Sequence, residues 1–371
     1  MNVTAKTQRN LTKLAAVLDG AKSLLIVLQN NPDPDAIAAA MALRRLAHHL
    51  AGLSASIAHA GEVGRAENRA LVHYLRLNLR PLPDLDVRQF DRIAMVDTQP
   101  GTGNNALPEG ANPHIVIDHH PCRRETRRAS FYDVRRAYGA TATILTEYLA
   151  GARIQPDAKL ATALLYGIRS DTQDLGSDSA RVDIEAIELL FPLANKRILS
   201  NIQRGQVARG YWRMLADAIR NAEVFPGVVV TSLGRVENAD MIAEVADLLL
   251  RDEQTQWTLA YGLSDDTLLL SMRTSREGSH AHRVMRRIVA GRGTGGGRDY
   301  RAGGQIPLKS ASASRLRQLE ESIRRRLLRA LDLKETRGKP LVPTNEESAG
   351  TSQTKPRRSR KASKRQDKAL R

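Results

Sequence analysis

The sequence predicts an α/β fold: a parallel-sheet domain with helices on both faces, linked to a smaller α+β domain. Three observations predict it. Short apolar runs alternate with helix-length amphipathic stretches through the first half. Those runs are apolar throughout rather than at every second residue, as strands covered on both faces are. After residue 222 the pattern changes to adjacent strands joined by polar turn residues.

Element by element, the apolar run Leu24–Leu28 is followed by the alanine-rich helical stretch from Ala36 to Gly52, then by a strand pattern over 55–60 and a helix over 66–77. Strands are expected at 92–96 and 114–117, after which helical patterns dominate in "GATATILTEYLAG", "DAKLATALLYGI" and "RVDIEAIELLFPLA". The first domain is expected over 1–195, a helical connection over 196–222, the second domain over 223–335, and a disordered basic tail over 336–371. In the second domain "WTLAYGL" and "TLLLSMRTS" read as a hairpin turning at Ser264, Asp265 and Asp266. Trp257 and Tyr261 fall on its core face. The glycine-rich "GRGTGGGRDYRAGGQIPL" reads as a loop, and Leu316, Leu319, Ile323 and Leu327 recur at helical spacing before the tail.

With 371 residues the chain is long enough for two cores, and no apolar run reaches the length of a membrane span. No secretory leader pattern opens it, and Cys122, the only cysteine, has no internal partner, so a cytoplasmic location is expected. The net charge of +17 is unevenly spread: residues 355–371 hold nine Lys or Arg against the single Asp367, a net +8. This tail reads either as a salt-sensitive grip on a polyanion or as a solvated extension.

Four polar clusters carry the chemistry. Asp33 and Asp35 follow the first strand, Asp97 follows strand 92–96, Asp118, His119 and His120 follow strand 114–117, and Asp171 follows a helix. Ligands of parallel sheets bind beyond the carboxyl ends of the strands, where the first three clusters would converge. Carboxylates with one or two imidazoles suit Mn²⁺, Mg²⁺, Fe²⁺ or Co²⁺. Two such ions, about 3.5–4 Å apart, can hold a hydroxide between them and brace both oxygens of an in-line phosphoryl displacement.

The blocks "NPDPDA", "VDTQ", "IDHHP" with "GATATILTEYL", "GIRSDTQDLG" and the distal glycine-rich segment, in this order, resemble the DHH–DHHA1 phosphoesterases over residues 20 to 330. Within that family they most resemble oligoribonucleases that also remove phosphate from 3′-phosphoadenosine 5′-phosphate. The resemblance implies an N-terminal parallel-sheet DHH domain, a smaller DHHA1 domain, and two Mn²⁺ ions, with Mg²⁺ or Co²⁺ as substitutes. It implies short RNA or DNA oligonucleotides or nucleotides as substrates, cut at phosphodiester or terminal phosphate bonds. Asp33 and Asp97 would hold the first ion, with Asp97 bridging; Asp35, His119 and Asp171 would complete the second. His120 would face the scissile phosphate as a hydrogen-bond donor or proton source, and Asp118 would orient His119. Arg273 and the loop containing Gly295, Gly296, Gly297, Arg298 and Tyr300 would take the remaining phosphate, sugar and base.

Two residues depart from that pattern. Gln29 stands where the family has a histidine ligand of the first metal, and Arg298 where it has a histidine after the glycines. An amide oxygen is a weaker donor than imidazole, and arginine cannot trade a proton near neutral pH. The alternative to a hydrolase is therefore a relative that binds nucleic acid or nucleotide without cutting it; inorganic pyrophosphate is a third substrate to weigh. Among the remaining candidates, His48 and His49 read as helix surface, His280 and His282 as the start of a helix, and Cys122 as a small buried filler. Whether two copies pair as a homodimer is left open by the sequence.

Overall fold

The computed structural model describes residues 1–176, 179–308 and 312–342, which form two compact units, Met1–Ala208 and a second beginning at Arg209. The first unit runs α1 (Ala5–Leu18), β1 (Ser23–Val27), α2 (Pro34–Ala51), β2 (Ser54–His59), α3 (Ala66–Tyr74), β3 (Leu79–Pro81), β4 (Arg92–Val96), β5 (Ile115–Asp118), β6 (Phe131–Val134), α4 (Thr141–Gly151), α5 (Ala158–Asp171), α6 (Arg181–Leu190) and α7 (Lys196–Gln203). Its six strands pair in parallel in the order β3-β2-β1-β4-β5-β6. The order reverses between β1 and β4, so a crevice opens beyond the carboxyl ends of those two strands.

Helix α2 follows β1 directly. Asp33 caps it, its side chain accepting from Ala36 N, and Pro34 stands in the first turn, where a missing N–H is harmless. Ala36, Ala38, Ala39 and Ala40 are fully buried. The small side chains let α4 and α5 pack closely on α2. At Gly167 of α5 the approach is tightest: a Cβ there would lie 2.9 Å from the Pro34 carbonyl oxygen and 3.2 Å from Asp35 Cα. One helical turn further on the same face of α5 stands Asp171, which this close packing carries to the loop that bears Asp33 and Asp35.

The second unit contains α8 (Arg209–Arg220), β7 (Glu223–Phe225), β8 (Val228–Arg235), α9 (Asp240–Leu249), β9 (Trp257–Ser264), β10 (Thr267–Thr274), α10 (Ala281–Val289), β11 (Thr294–Gly297), β12 (Arg301–Pro307), α11 (Ala313–Ala330) and β13 (Lys339–Pro340). Its seven strands lie in the order β11-β12-β10-β9-β8-β7-β13, antiparallel except for β8 with β9. Strands β9 and β10 form the expected hairpin, with Trp257 and Tyr261 buried. The stretch expected to connect the units divides between them, α7 belonging to the first and α8 to the second.

Two expectations are corrected here. The glycine-rich segment is not a loop but the hairpin β11–β12, and its glycines answer to packing. A Cβ at Gly304 would meet Met285 Sδ at 2.7 Å, and Gly297, at φ +143°, would bring one within 2.2 Å of the Arg301 carbonyl oxygen. The segment after residue 335 is not structureless from its start, since Lys339 and Pro340 pair with β7. The basic run 355–371 lies outside the described residues. Among the described residues, no helix is long and apolar enough to cross a membrane.

Candidate metal centre

Each strand end supplies its group by a local device. Asp97, just past β4, sits at φ +57°, a left-handed conformation that Asp tolerates better than most residues and that turns its carboxylate into the crevice. Asp35, fully buried, receives the two N–H groups that open α4: Thr141 N at 2.8 Å on Oδ2 and Ala142 N at 2.7 Å on Oδ1. The residue before that helix is Ala140, which has no capping side chain, so Asp35 caps α4 from another element. Thr141 Oγ1 also donates to Asp97 Oδ1 at 3.0 Å.

The two histidines are held differently. His119 Nδ1 lies 3.1 Å from the Tyr138 carbonyl oxygen, an acceptor only, so Nδ1 carries the proton. In the neutral ring Nε2 then presents a lone pair, 3.1 Å from Asp171 Oδ2 and 3.6 Å from Asp97 Oδ1. His120 Nδ1 donates to Asp118 Oδ1 at 2.8 Å, and the same oxygen accepts from the backbone nitrogens of His119 and His120. Asp118 therefore orients His120; the group behind His119 is the Tyr138 carbonyl, which corrects the expected pairing. Buried Gln99 completes the brace, donating to Asp118 Oδ2 at 2.7 Å while its own oxygen accepts from Arg123 N and Thr126 Oγ1.

One donor atom each from Asp35, His119 and Asp171 lie within 4.8 Å of one another, as do those of Asp97, Asp118, His119 and His120. Burial and the neighbouring carboxylates push the protonation of the acids upward. Burial first and then Asp171 raise Asp35 to about 7; burial, Asp35 and Asp33 raise Asp97 well above the ordinary range; burial and Asp171 raise Asp33. Asp118 moves the other way, because its hydrogen bond and attraction to His120 outweigh its burial. Carboxylates converge here on an imidazole lone pair. His119 Nε2 and Asp171 Oδ2, 3.1 Å apart, need a proton or a cation between them, and the oxygen-rich donor set fits a hard or borderline divalent ion.

Gln29 and Asp33 adjoin this cluster without entering either group. Gln29 Nε2 donates to Asp33 Oδ2 at 3.0 Å, and Gln29 Oε1 accepts from Asn104 Nδ2 at 3.2 Å. Sequence reasoning did not single out Thr141, Tyr138, Gln99 or Asn104. "GATAT" at a helix start and the glutamine of "VDTQ" were the signals for two of them. Cys122, expected to be buried, is exposed; the chain has left the sheet at the end of β5, at Asp118.

In the second unit, Arg273 is mostly buried in β10, paired with Asp247 and donating to Ser271 Oγ and the Met272 carbonyl. Gly295, Gly296 and Gly297 are strand residues opposite Gly304, Gly303 and Ala302, and Arg298 N donates to the Arg301 carbonyl. The hairpin thus uses for its own pairing backbone groups that were expected to cradle an anion. Tyr300 lies in its turn, half-buried, and His280 and His282 both approach Asp299, at 2.9 and 3.5 Å. His48 and His49 are exposed in the last turn of α2.

A parallel sheet whose crevice gathers four aspartates and a His-His pair, followed by a mixed sheet with a glycine hairpin, defines a class. Residues 23–168 match the DHH family, N-terminal domain, and residues 226–327 match the DHHA1 domain. An uncharacterized protein of Methanocaldococcus jannaschii is 35% identical over 352 residues, covering 89% of this chain and 72% of that one. The chain belongs to the DHH family of phosphoesterases.

More distantly, it is 25% identical over 218 residues to a probable manganese-dependent inorganic pyrophosphatase of Staphylococcus saprophyticus, covering 57% of this chain and 69% of that one. Among solved structures, an exopolyphosphatase-related protein from Bacteroides fragilis superposes with a TM-score of 0.67 at 14% identity, over 87% of this chain and 98% of the other. RecJ from Thermus thermophilus, in complex with Mn²⁺, superposes with a TM-score of 0.51 at 14% identity, over 88% of this chain and 56% of RecJ. Both of these are likenesses of fold.

Proposed function

We propose that this chain is a manganese-dependent phosphoesterase that hydrolyses phosphodiester or terminal phosphate bonds of short oligonucleotides or nucleotides. The observation that carries the reading is His119, its Nδ1 proton committed to a backbone carbonyl and its Nε2 turned toward Asp171 and Asp97. Asp35, His119, Asp171 and Asp97 would hold the metal. A divalent cation there supplies Lewis acidity toward phosphate oxygens and activates water. His120, fixed through Nδ1 by Asp118 and half-exposed on its other side, has Nε2 left to meet a phosphate oxygen; as imidazolium it donates that proton to the departing oxygen. The manganese named for the Staphylococcus saprophyticus relative and the Mn²⁺ in RecJ favour the same metal.

Arg298, exposed, and Tyr300, half-buried, both at the turn of the β11–β12 hairpin, would serve as substrate contacts. Arg273, held by Asp247, serves instead to stiffen the sheet. The amide network at Gln29 and Asn104 favours a second reading, a nucleotide-binding relative of low turnover. The purified chain with Mn²⁺ should release product from a 5-mer RNA, 3′-phosphoadenosine 5′-phosphate or a generic phosphodiester faster than from pyrophosphate, and Asp97→Asn should abolish it. No turnover on any of these, with retained nucleotide binding, selects the second reading; preference for pyrophosphate refutes the substrate class.

A further inference from the structure

We propose that the first unit carries a second ligand site, remote from the metal centre, in which Arg44 and its basic neighbours take a dianionic phosphate group, as inorganic phosphate or a phosphate monoester. The site stands on observations separate from the proposed reaction.

Arg44 lies in the C-terminal half of α2, half-buried. Its helical neighbours three and four residues away are Ala40, Met41, Ala47 and His48, so no carboxylate stands beside it on the helix surface. Among the described residues its guanidinium makes no hydrogen bond or ion pair, and burial alone holds it below its ordinary value. A guanidinium has five N–H donors and keeps its charge. Half-buried without an acceptor, it carries a desolvation cost that an oxyanion from solution would offset.

Arg44 lines a cavity of about 430 Å³, a size within the range of small-molecule sites. Arg45, His48, Lys159 and Asp157 share the lining. Asp157 is already engaged, its Oδ1 accepting from Leu160 N at 2.9 Å as the cap of α5. Lys159 Nζ reaches the Arg76 carbonyl at 3.4 Å and has further hydrogens to donate. Three fixed cations therefore face one carboxylate, an excess of two positive charges before His48 adds any. A phosphate monoester carries about −1.5 to −2 at pH 7, and its oxygens match the fork of a guanidinium. Among the described residues no Phe, Tyr or Trp lines the cavity to stack on a base, so the phosphate is the group recognised.

The cavity lies at the opposite end of the sheet from the metal centre. Leu53 and Ser54 in its lining lead into β2, at the amino ends of the parallel strands, whereas the crevice opens beyond the carboxyl ends. Along α2, Arg44 stands about 14 Å from Asp35, and along α5, Lys159 stands about 18 Å from Asp171, at the rise of an α-helix. A phosphate group held there joins the C-terminal half of α2 to the start of α5 without reaching the metal ligands.

The test is calorimetric titration of the full chain, dialysed free of metal and phosphate, with inorganic phosphate and separately with adenosine 5′-monophosphate at low ionic strength. Both should bind the wild type, and Arg44→Met should weaken both about tenfold or more, since hydrogen bonds between charged groups are removed. Anion bound by other arginines, Arg298 among them, is common to wild type and variant and drops out of the difference. Arg45→Gln combined with Lys159→Gln, both exposed, should weaken binding in the same direction. Without phosphate, Arg44→Met should unfold at the temperature of the wild type or above it, because methionine suits a helix and needs no acceptor; with phosphate, the wild type should gain thermal stability that the variant does not. Binding of wild-type strength in either variant, binding of adenosine 5′-monophosphate but not of inorganic phosphate, no binding of either, or a lowered phosphate-free midpoint in Arg44→Met each overturn the proposal.

Discussion

Replacing Arg135 by Met should weaken the first unit and its metal centre together. Arg135, 6% exposed, donates to Asp133 Oδ2 at 2.7 Å, Glu147 Oε2 at 2.7 Å, Tyr138 Oη at 3.0 Å and Thr7 Oγ1 at 2.7 Å. It also starts the turn that presents the Tyr138 carbonyl to His119, since Arg135 N bonds to the Asp118 carbonyl and Tyr138 N to that of Arg135. Methionine fills much of the volume but leaves two buried carboxylates short of a cation. Lys6 still reaches Asp133, and Thr4 still donates to Glu147. Breaking a buried pair from one side costs about 3–5 kcal/mol, and the remaining partners should hold the loss to about 3 kcal/mol at pH 7.

The sign with pH follows from the carboxylates. Burial of Asp133 works against its charge, but Arg135 and Lys6 outweigh it and leave the group below its ordinary value. For Glu147 the bonds from Tyr138 and Thr4 likewise outweigh burial. Depressed carboxylates contribute stability that is fully present above their unfolded values, near pH 4, and lost as pH falls through the folded values. Without Arg135 the same groups titrate upward, so the gap between wild type and variant is widest at neutral pH and closes in acid. Urea unfolding at pH 7 and pH 4 measures it, and Mn²⁺ dialysis should show about tenfold weaker binding as His119 loses its fixed tautomer. A loss below about 1 kcal/mol at pH 7, or one equally large in acid, would refute the reasoning.

Asp118→Asn should cut turnover about 10- to 100-fold while leaving bound Mn²⁺ unchanged, because it loosens His120 rather than the ion's ligands; steady-state kinetics beside metal analysis checks it. Gly167→Val should destabilise the first unit by about 1–3 kcal/mol and lower Mn²⁺ affinity, since a side chain 2.9 Å from the Pro34 carbonyl pushes α5, and with it Asp171, away; thermal unfolding and dialysis read the two effects. Exposed Cys122 should react with a thiol reagent without prior unfolding; protection in the native chain would show it covered. Deleting residues 355–371, nine of them cationic, should bring elution from heparin to lower salt; unchanged retention would remove the tail from any account of polyanion binding.

Periodicity alone carried the alternating strands and helices of the first unit and the β9–β10 hairpin, because continuous apolar runs can be buried on both faces only in a covered parallel sheet. Helix α1, the short edge strand β3 and the strand β6, in which Asp133 interrupts the apolar run and is held by Arg135, escaped it. The two strands lie in the sheet for reasons of partner, not pattern. The glycine hairpin looked like a loop because a row of glycines has no periodicity. Met285 and Val289 beneath Gly295 and Gly304 show why nothing larger fits.

For the metal centre, residue types and their places at strand ends were readable from the chain, since carboxylate and imidazole at the mouths of parallel strands have one crevice to share. Which nitrogen of His119 bears the proton, which histidine Asp118 holds, and which way the Gln29 amide faces were not. Each depends on the identity of an atom brought from 19, 2 or 75 residues away. A hydrogen bond has a direction, and that direction is set by whatever the fold places opposite. The sequence therefore determined which carboxylates and imidazoles stand at the strand ends, and only the tertiary structure decided which of their atoms face one another and which are held by neighbouring donors.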